Sequence, residues 1–250
     1  MLKGARLDER VVRDGLAATR TRAQALVRSG RVLVDDVPVE KPGTRVRDEA
    51  AIRVRGEQRV FVSRGGEKLS GALGDLGIDP AGFACLDLGA STGGFTDCLL
   101  QAGAGSVVAV DVGYGQLDFG LRNDPRVRVL ERTNARHLEA SSVPGPIDLV
   151  TIDVSFISST LLLPRLPEVA PGADALVMVK PQFELERSQV GKGGVVRDDA
   201  LRAVAADRVR GCAESLGYRL EGQVDSRVPG PKGNREIFLW LRPTSPIRRE

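Results

Sequence analysis

Residues 84–97 read A-C-L-D-L-G-A-S-T-G-G-F-T-D. An apolar run carrying one acid passes into a bare turn, Gly89-Ala90-Ser91-Thr92-Gly93-Gly94, and then into a hydrophobic stretch of helical character that begins at Phe95. Glycine loses more conformational entropy on folding than any other residue, so three within six positions need a physical reason. A tight strand-to-helix corner is one. A backbone-lined pocket is the other, because a missing side chain lets a ligand approach the main chain closely.

From residue 63 onward the chain alternates strand and helix patterns around this turn. Strand candidates are A-C-L-D-L, S-V-V-A-V-D-V, V-R-V-L, I-D-L-V-T-I-D-V and A-D-A-L-V-M-V-K. Near-continuous apolar runs of this kind belong to a parallel sheet covered on both faces. Helical patterns lie between them, among them F-T-D-C-L-L-Q-A-G and the long D-D-A-L-R-A-V-A-A-D-R-V-R-G-C-A-E-S-L-G. Two late strands, Y-R-L-E-G-Q-V and E-I-F-L-W-L, are joined by a loop alone, which favours an antiparallel pair. The sum is a doubly wound α/β domain over 63–250, with its ligand crevice at the carboxyl ends of the strands.

Residues 1–60 are of another kind. They carry 14 Lys and Arg against 9 Asp and Glu, a net of +5, whereas the rest of the chain has a net of −2. A basic head on a near-neutral body fits a polyanion-binding module. Leu7, Val11, Val12 and Leu16 fall at helical spacing, and Thr19 or Thr21 can cap a second helix that Gly30 ends. Strands follow around an Asp-Asp turn in V-L-V-D-D-V-P-V. Arg20, Arg22, Arg28 and Arg31 bracket the second helix, and with Arg6 they are the candidate RNA contacts, placed for phosphates of a folded RNA. The connector is expected at about 56–62, short and strand-prone.

The glycine turn selects among nucleotide ligands. A P-loop ends in G-K-[ST] and this turn ends in G-G-F; the dinucleotide pattern needs a middle glycine that G-A-S-T-G-G lacks. A ligand without phosphates fits better. Asp111 ends the second strand, 22 residues after Gly89, where an acid can accept hydrogen bonds from ribose hydroxyls. S-adenosylmethionine offers a ribose diol and an amino acid tail. At the other strand ends stand Asp153, Lys180 and Glu236, with Lys68 upstream in S-R-G-G-E-K-L, and all four are expected to converge on the crevice. The single histidine, His137, leaves little room for a Ser-His-Asp triad or a His-rich metal site, and Cys85, Cys98 and Cys212 lack C-x-x-C spacing. Neither a metal nor a disulfide framework is expected. No apolar stretch has the length of a membrane span and the amino terminus lacks a signal-peptide core, so the expected location is cytoplasmic.

The head, in T-R-T-R-A-Q-A-L-V-R-S-G-R-V-L-V, resembles the S4 RNA-binding domain. Over essentially its whole length the chain closely resembles the TlyA family, S4-domain proteins with an FtsJ-like methyltransferase domain. The pieces carrying the resemblance are S-R-G-G-E-K-L, D-L-G-A-S-T-G-G-F-T-D, E-R-T-N-A-R, T-I-D-V-S-F, V-K-P-Q-F-E and G-P-K-G-N-R-E-I-F-L. The resemblance implies a Rossmann-like class I methyltransferase with a seven-stranded, mostly parallel sheet after a small α+β S4 domain. It implies methylation of a ribose 2′-hydroxyl of ribosomal RNA, with cytidine the expected nucleotide and S-adenosylmethionine the donor. The family's K-D-K-E catalytic set falls on Lys68, Asp153, Lys180 and Glu236. Its cofactor positions fall on Gly89 to Phe95 (Gly89, Ala90, Ser91, Thr92, Gly93, Gly94 and Phe95), on Asp111 and on Asn134. Lys180 is assigned as the base for the hydroxyl proton; a lysine that stays charged and orients the hydroxyl is the alternative. One departure is Arg59-Val60-Phe61-Val62 where the family can show R-x-W-V. The function weighed against this one is an RNA-binding adaptor or haemolysin-like protein keeping the methyltransferase fold.

Overall fold

The computed structural model describes residues 4–17, 19–55, 60–230 and 232–244. The chain divides into two compact units, Met1–Arg59 and Val60–Glu250. Residues 56–59 of the expected connector lie outside the described residues.

The first unit contains β1 (Gly4–Arg6), α1 (Leu7–Arg13), α2 (Arg20–Arg28), β2 (Val32–Val34), β3 (Val37–Pro38), β4 (Arg45–Arg47) and β5 (Ile52–Val54). Thr19 caps α2 by accepting the Arg22 N–H, and Gly30, at φ 68°, follows its end. Asp35 and Asp36 sit at φ 50° and 67°, the left-handed pair that a two-residue hairpin turn between β2 and β3 requires. β2 is the centre of a three-stranded sheet with β3 and β5, and β1 pairs with β4. Leu7, Val11, Ala23, Leu26, Val27, Val32 and Val46 close a small core beneath the helices.

The second unit runs α3 (Arg64–Leu76), β6 (Ala84–Leu88), α4 (Gly94–Gln101), β7 (Ser106–Val110), α5 (Phe119–Arg122), β8 (Val127–Leu130), β9 (Leu149–Ile152), α6 (Leu166–Val169), β10 (Asp174–Val179), α7 (Pro181–Glu184), α8 (Asp199–Ser215), β11 (Tyr218–Asp225) and β12 (Ile237–Pro243). Its seven strands are ordered β11-β12-β10-β9-β6-β7-β8. All pairings are parallel except those of β12, which runs antiparallel to both neighbours. The late hairpin therefore forms as expected, but its second strand inserts between β10 and β11.

Alternation along each strand feeds two cores. Ala175, Val177 and Val179 of β10 pack in one, with Ala205, Val209 and Ala213 of α8. Leu176 and Met178 face the other, with Leu69 and Leu73 of α3 and Phe95 and Leu99 of α4. A strand buried on both faces has no polar side to show, which is why these runs are continuously apolar. From β6 the chain proceeds outward to β7 and β8, then returns to β9 and β10 on the other side. The crevice of such a sheet opens at that reversal, beyond the carboxyl ends of β6 and β9.

Candidate active site

The glycines after β6 have separate duties. Gly89 has φ 92°, and a Cβ there would lie 2.4 Å from the Asp153 carbonyl oxygen, so it lets the ends of β6 and β9 close together. Gly93, at φ 94°, is the left-handed N-cap of α4, with no space for a Cβ beside Leu121. Gly94 meets α3: a Cβ would stand 2.1 Å from Ser63 Oγ and 2.9 Å from the Gly66 nitrogen. Gly66 in turn has the Phe61 side chain 2.4 Å from where its own Cβ would be. Gly94 and the G-G of R-G-G-E thus make a close contact between α3 and α4. Phe61 covers that contact, and the Val62 N–H donates to Asp97 Oδ2 at 2.8 Å. Arg59 of the Arg59-Val60-Phe61-Val62 tetrapeptide lies outside the described residues.

A cleft of about 320 Å³ opens where the sheet reverses. Gly89, Ser91, Asp111, Asn134, Asp153 and Ser155 are in its lining. Asp111 braces the turn: Oδ2 accepts the Ser91 N–H at 2.8 Å and Oδ1 the Gly113 N–H at 2.7 Å. Each oxygen keeps a second lone pair for a ligand. Asn134 Oδ1 accepts the Arg136 N–H, which leaves its amide N–H₂ as a donor. The described lining residues include two carboxylates and no lysine, arginine or histidine. Such a cleft suits a cationic, phosphate-free ligand and disfavours a nucleotide phosphate. Of the other turn residues, Ala90, Gly93, Gly94 and Phe95 are buried and Thr92 is exposed, none of them in the lining; Phe95 stacks on Phe238 in the core, with ring centroids 6.1 Å apart.

Two lysine–carboxylate pairs stand at the strand ends. Lys180 directly follows β10, and Pro181 opens α7 behind it. Its Nζ lies 2.5 Å from Asp153 Oδ1 as an ion contact and donates to Ser155 Oγ at 2.8 Å. Lys68, on α3, pairs with Glu236 Oε1 at 3.0 Å; both side chains are buried, and Glu236 Oε2 has no hydrogen-bond partner among the described residues. Since Val179 pairs with Ile237, Lys180 and Glu236 occupy facing positions one step beyond that register. The fold therefore brings Asp153 to Lys180 and Lys68 to Glu236, with the two pairs on adjoining strands.

Beneath them lies Asp87, a residue that sequence reasoning did not single out. It is fully buried in β6, and its oxygens accept from Thr96 Oγ1 at 2.7 Å and Thr151 Oγ1 at 3.1 Å. Burial pushes its carboxyl up to about 7 and Asp153 adds to the rise, against the hydroxyl hydrogen bonds. Its signal was visible as the one acid inside the apolar run A-C-L-D-L. Ser155 stands within T-I-D-V-S-F without a role of its own there, and only the fold brings it to Lys180. Glu184, the last residue of V-K-P-Q-F-E, was given no role from sequence: 1% exposed, it accepts from Ser158 Oγ and the Ser159 N–H, tying the segment after Asp153 to that after Lys180.

In the first unit, Arg6 and Arg20 both reach the buried Asp8, at 3.0 and 3.1 Å, and Gln24 Nε2 joins them at 2.9 Å. The Arg6 hydrogen bond is the main cause that holds the Asp8 carboxyl well below the usual carboxylate range. Arg31 Nε donates to the Arg55 carbonyl. Arg22 and Arg28 are exposed, without an ion pair among the described residues.

Among those residues no helix is long and apolar enough to cross a membrane, and no group of side chains forms a metal site. Residues 61–243 match the model for FtsJ-like methyltransferase, and residues 5–52 that for the S4 domain. The "16S/23S rRNA (cytidine-2'-O)-methyltransferase TlyA" of Mycobacterium tuberculosis is 52% identical, over 97% of this chain and 91% of its own length. The "Hemolysin A" of Brachyspira hyodysenteriae is 40% identical, over 93% and 98%. A solved structure from Streptococcus thermophilus aligns with TM-score 0.73 and 37% identity, covering 98% of this chain and 90% of that one.

Proposed function

Because this chain belongs to the TlyA family, S4-domain proteins with an FtsJ-like methyltransferase domain, we propose that it methylates the ribose 2′-hydroxyl of a cytidine in ribosomal RNA. The observation that carries the reading is Asp153. It lines the cation-free cleft and pairs with Lys180, so the donor cleft and the proton-handling lysine share one carboxylate. S-adenosylmethionine, when bound, supplies a methyl carbon made electrophilic by its sulfonium. Asp111 and the Ser91 segment would hold the ribose and tail, Asn134 would offer its amide to the base, and Asp153 would face the positive charge.

The chain's own work is alignment and proton removal. Lys180, fixed by Asp153 and Ser155, meets the 2′-hydroxyl and handles its proton. Lys68 and Glu236 brace the next strand end, where the target nucleotide is positioned. The residues up to about 60 act as the RNA-binding domain, with Arg6, Arg20, Arg22, Arg28 and Arg31 toward phosphates, and the remainder as the catalytic domain. The reaction belongs to the cytoplasm, where ribosomal subunits are found.

The test is label transfer from methyl-labelled S-adenosylmethionine to ribosomal subunits and to free rRNA, followed by mass spectrometry of the nucleosides. A 2′-O-methylcytidine product is expected. Label on a base, or none on either RNA form, overturns the reading.

A further inference from the structure

One buried side chain joins two segments beyond the active site. Asn234 is 4% exposed and lies two residues before Glu236. Its Oδ1 accepts the Val196 N–H at 2.9 Å, and its Nδ2 donates to the Gly194 carbonyl at 2.7 Å. Its own carbonyl accepts the Gly230 N–H at 2.7 Å. A buried amide with donor and acceptor both engaged fixes the two chains it touches. Those chains are G-K-G-G-V-V at 191–196 and the stretch that leads into Glu236. The second also seats the Glu236 carboxylate, because a Cβ at Gly230 would fall 2.5 Å from Glu236 Oε1.

Both segments are bare and basic. Gly193, Gly194 and Gly233 adopt left-handed backbone, at φ 79°, 78° and 89°. Each segment exposes one lysine, Lys192 and Lys232. Among the described residues the lysine ion pairs are Lys68–Glu236 and Lys180–Asp153, so these two ammonium groups have no carboxylate partner. A glycine-rich backbone admits a phosphate closely, and an unpaired ammonium on it gains most from a polyanion.

We propose that the two segments clasped by Asn234 form a phosphate-binding surface for the RNA strand that carries the target ribose. Lys192 and Lys232 each neutralise a phosphate, and Asn234 is the positioning residue that sets them beside Glu236. This rests on the RNA-methyltransferase reading.

The full-length protein is titrated with an rRNA fragment that the wild type methylates, at several salt concentrations. Lys192→Ala and Lys232→Ala should each lower the slope of log affinity against log salt by about 1 and leave S-adenosylmethionine affinity unchanged. Asn234→Ala should lower it by about 2, as the lysine pair does. A double lysine variant with the wild-type slope overturns the surface, and it does so even if Asn234→Ala fails to fold. An Asn234→Ala protein that folds and keeps the wild-type slope overturns the clasp. Failure of the functional reading would look different, since the wild type itself would then transfer no methyl group to rRNA.

Discussion

The Asp8 cluster of the first unit and the lysine pairs of the second place their charges in opposite ways. In the first, the carboxylate is inside and its partners stay at the surface: Asp8 is fully buried, while the side chains of Arg6 and Arg20 that reach it are 39% and 53% exposed. In the second, the cations themselves are drawn in, with the side chains of Lys68 and Lys180 only 9% and 12% exposed. A surface guanidinium acts on a distant polyanion and is screened by salt. A buried ammonium loses hydration and persists only against a carboxylate. In the function proposed above, the first arrangement serves attraction and the second serves chemistry at one atom. Buried acids show the same division: arginines reach Asp8, whereas Asp87 is met by two hydroxyls and the Thr96 backbone, with Asp153 acting on it as a like charge.

The largest effect that can break this comparison is at Lys180. Lys180→Ala should reduce methyl transfer by ~10²–10⁴-fold, the usual range for general acid–base catalysis, with RNA affinity little changed. Arginine keeps the charge but does not release its proton near neutral pH. If Lys180→Arg restores most of the activity, the lysine is a fixed cation and its assignment as base is wrong.

Next in size are the two acids, whose effects on stability run in opposite directions with pH. Asp8 is depressed in the folded chain, so its contribution is present above the unfolded carboxylate value of ~3.9 and is lost as pH falls below it. Asp87 is raised to about 7. Between ~3.9 and about 7 the folded chain keeps a proton that the unfolded chain has released, so stability falls as pH rises through that window. The fall is at most about 1.4 kcal/mol per pH unit. Denaturant titrations at pH 5 and pH 7 should show the loss in the wild type and its disappearance in Asp87→Asn. Parallel behaviour of the two proteins would remove Asp87 as the cause.

Smaller effects sharpen the contrast. Asp111→Ala should weaken S-adenosylmethionine binding by about 1–3 kcal/mol in calorimetry, with little dependence on salt. Unchanged affinity would take Asp111 out of the cofactor site. Arg6→Ala and Arg20→Ala should each reduce the salt slope of RNA binding by about 1 and leave cofactor affinity intact. Equal slopes in variant and wild type would mean that these arginines serve Asp8 alone.

The sequence by itself determined the strands of the sheet and the main turns between elements. Continuous apolar runs marked the strands of the parallel sheet, the Asp-Asp pair marked the hairpin turn of the first unit, and Lys180 before Pro181 marked a strand end. These are local signals, set by side-chain period, turn propensity and the missing N–H of proline, so they survive without knowledge of contacts. What the glycine turn does was beyond that reach. One repeating letter covers a close approach to Asp153, a left-handed cap and a helix contact, and only the neighbours tell them apart. The insertion of β12 between β10 and β11, the pairing of Lys68 with Glu236 across 168 residues, and the meeting of Ser155 with Lys180 were likewise decided by tertiary structure. Such partners are chosen by which faces must be buried together, and burial belongs to the folded chain as a whole.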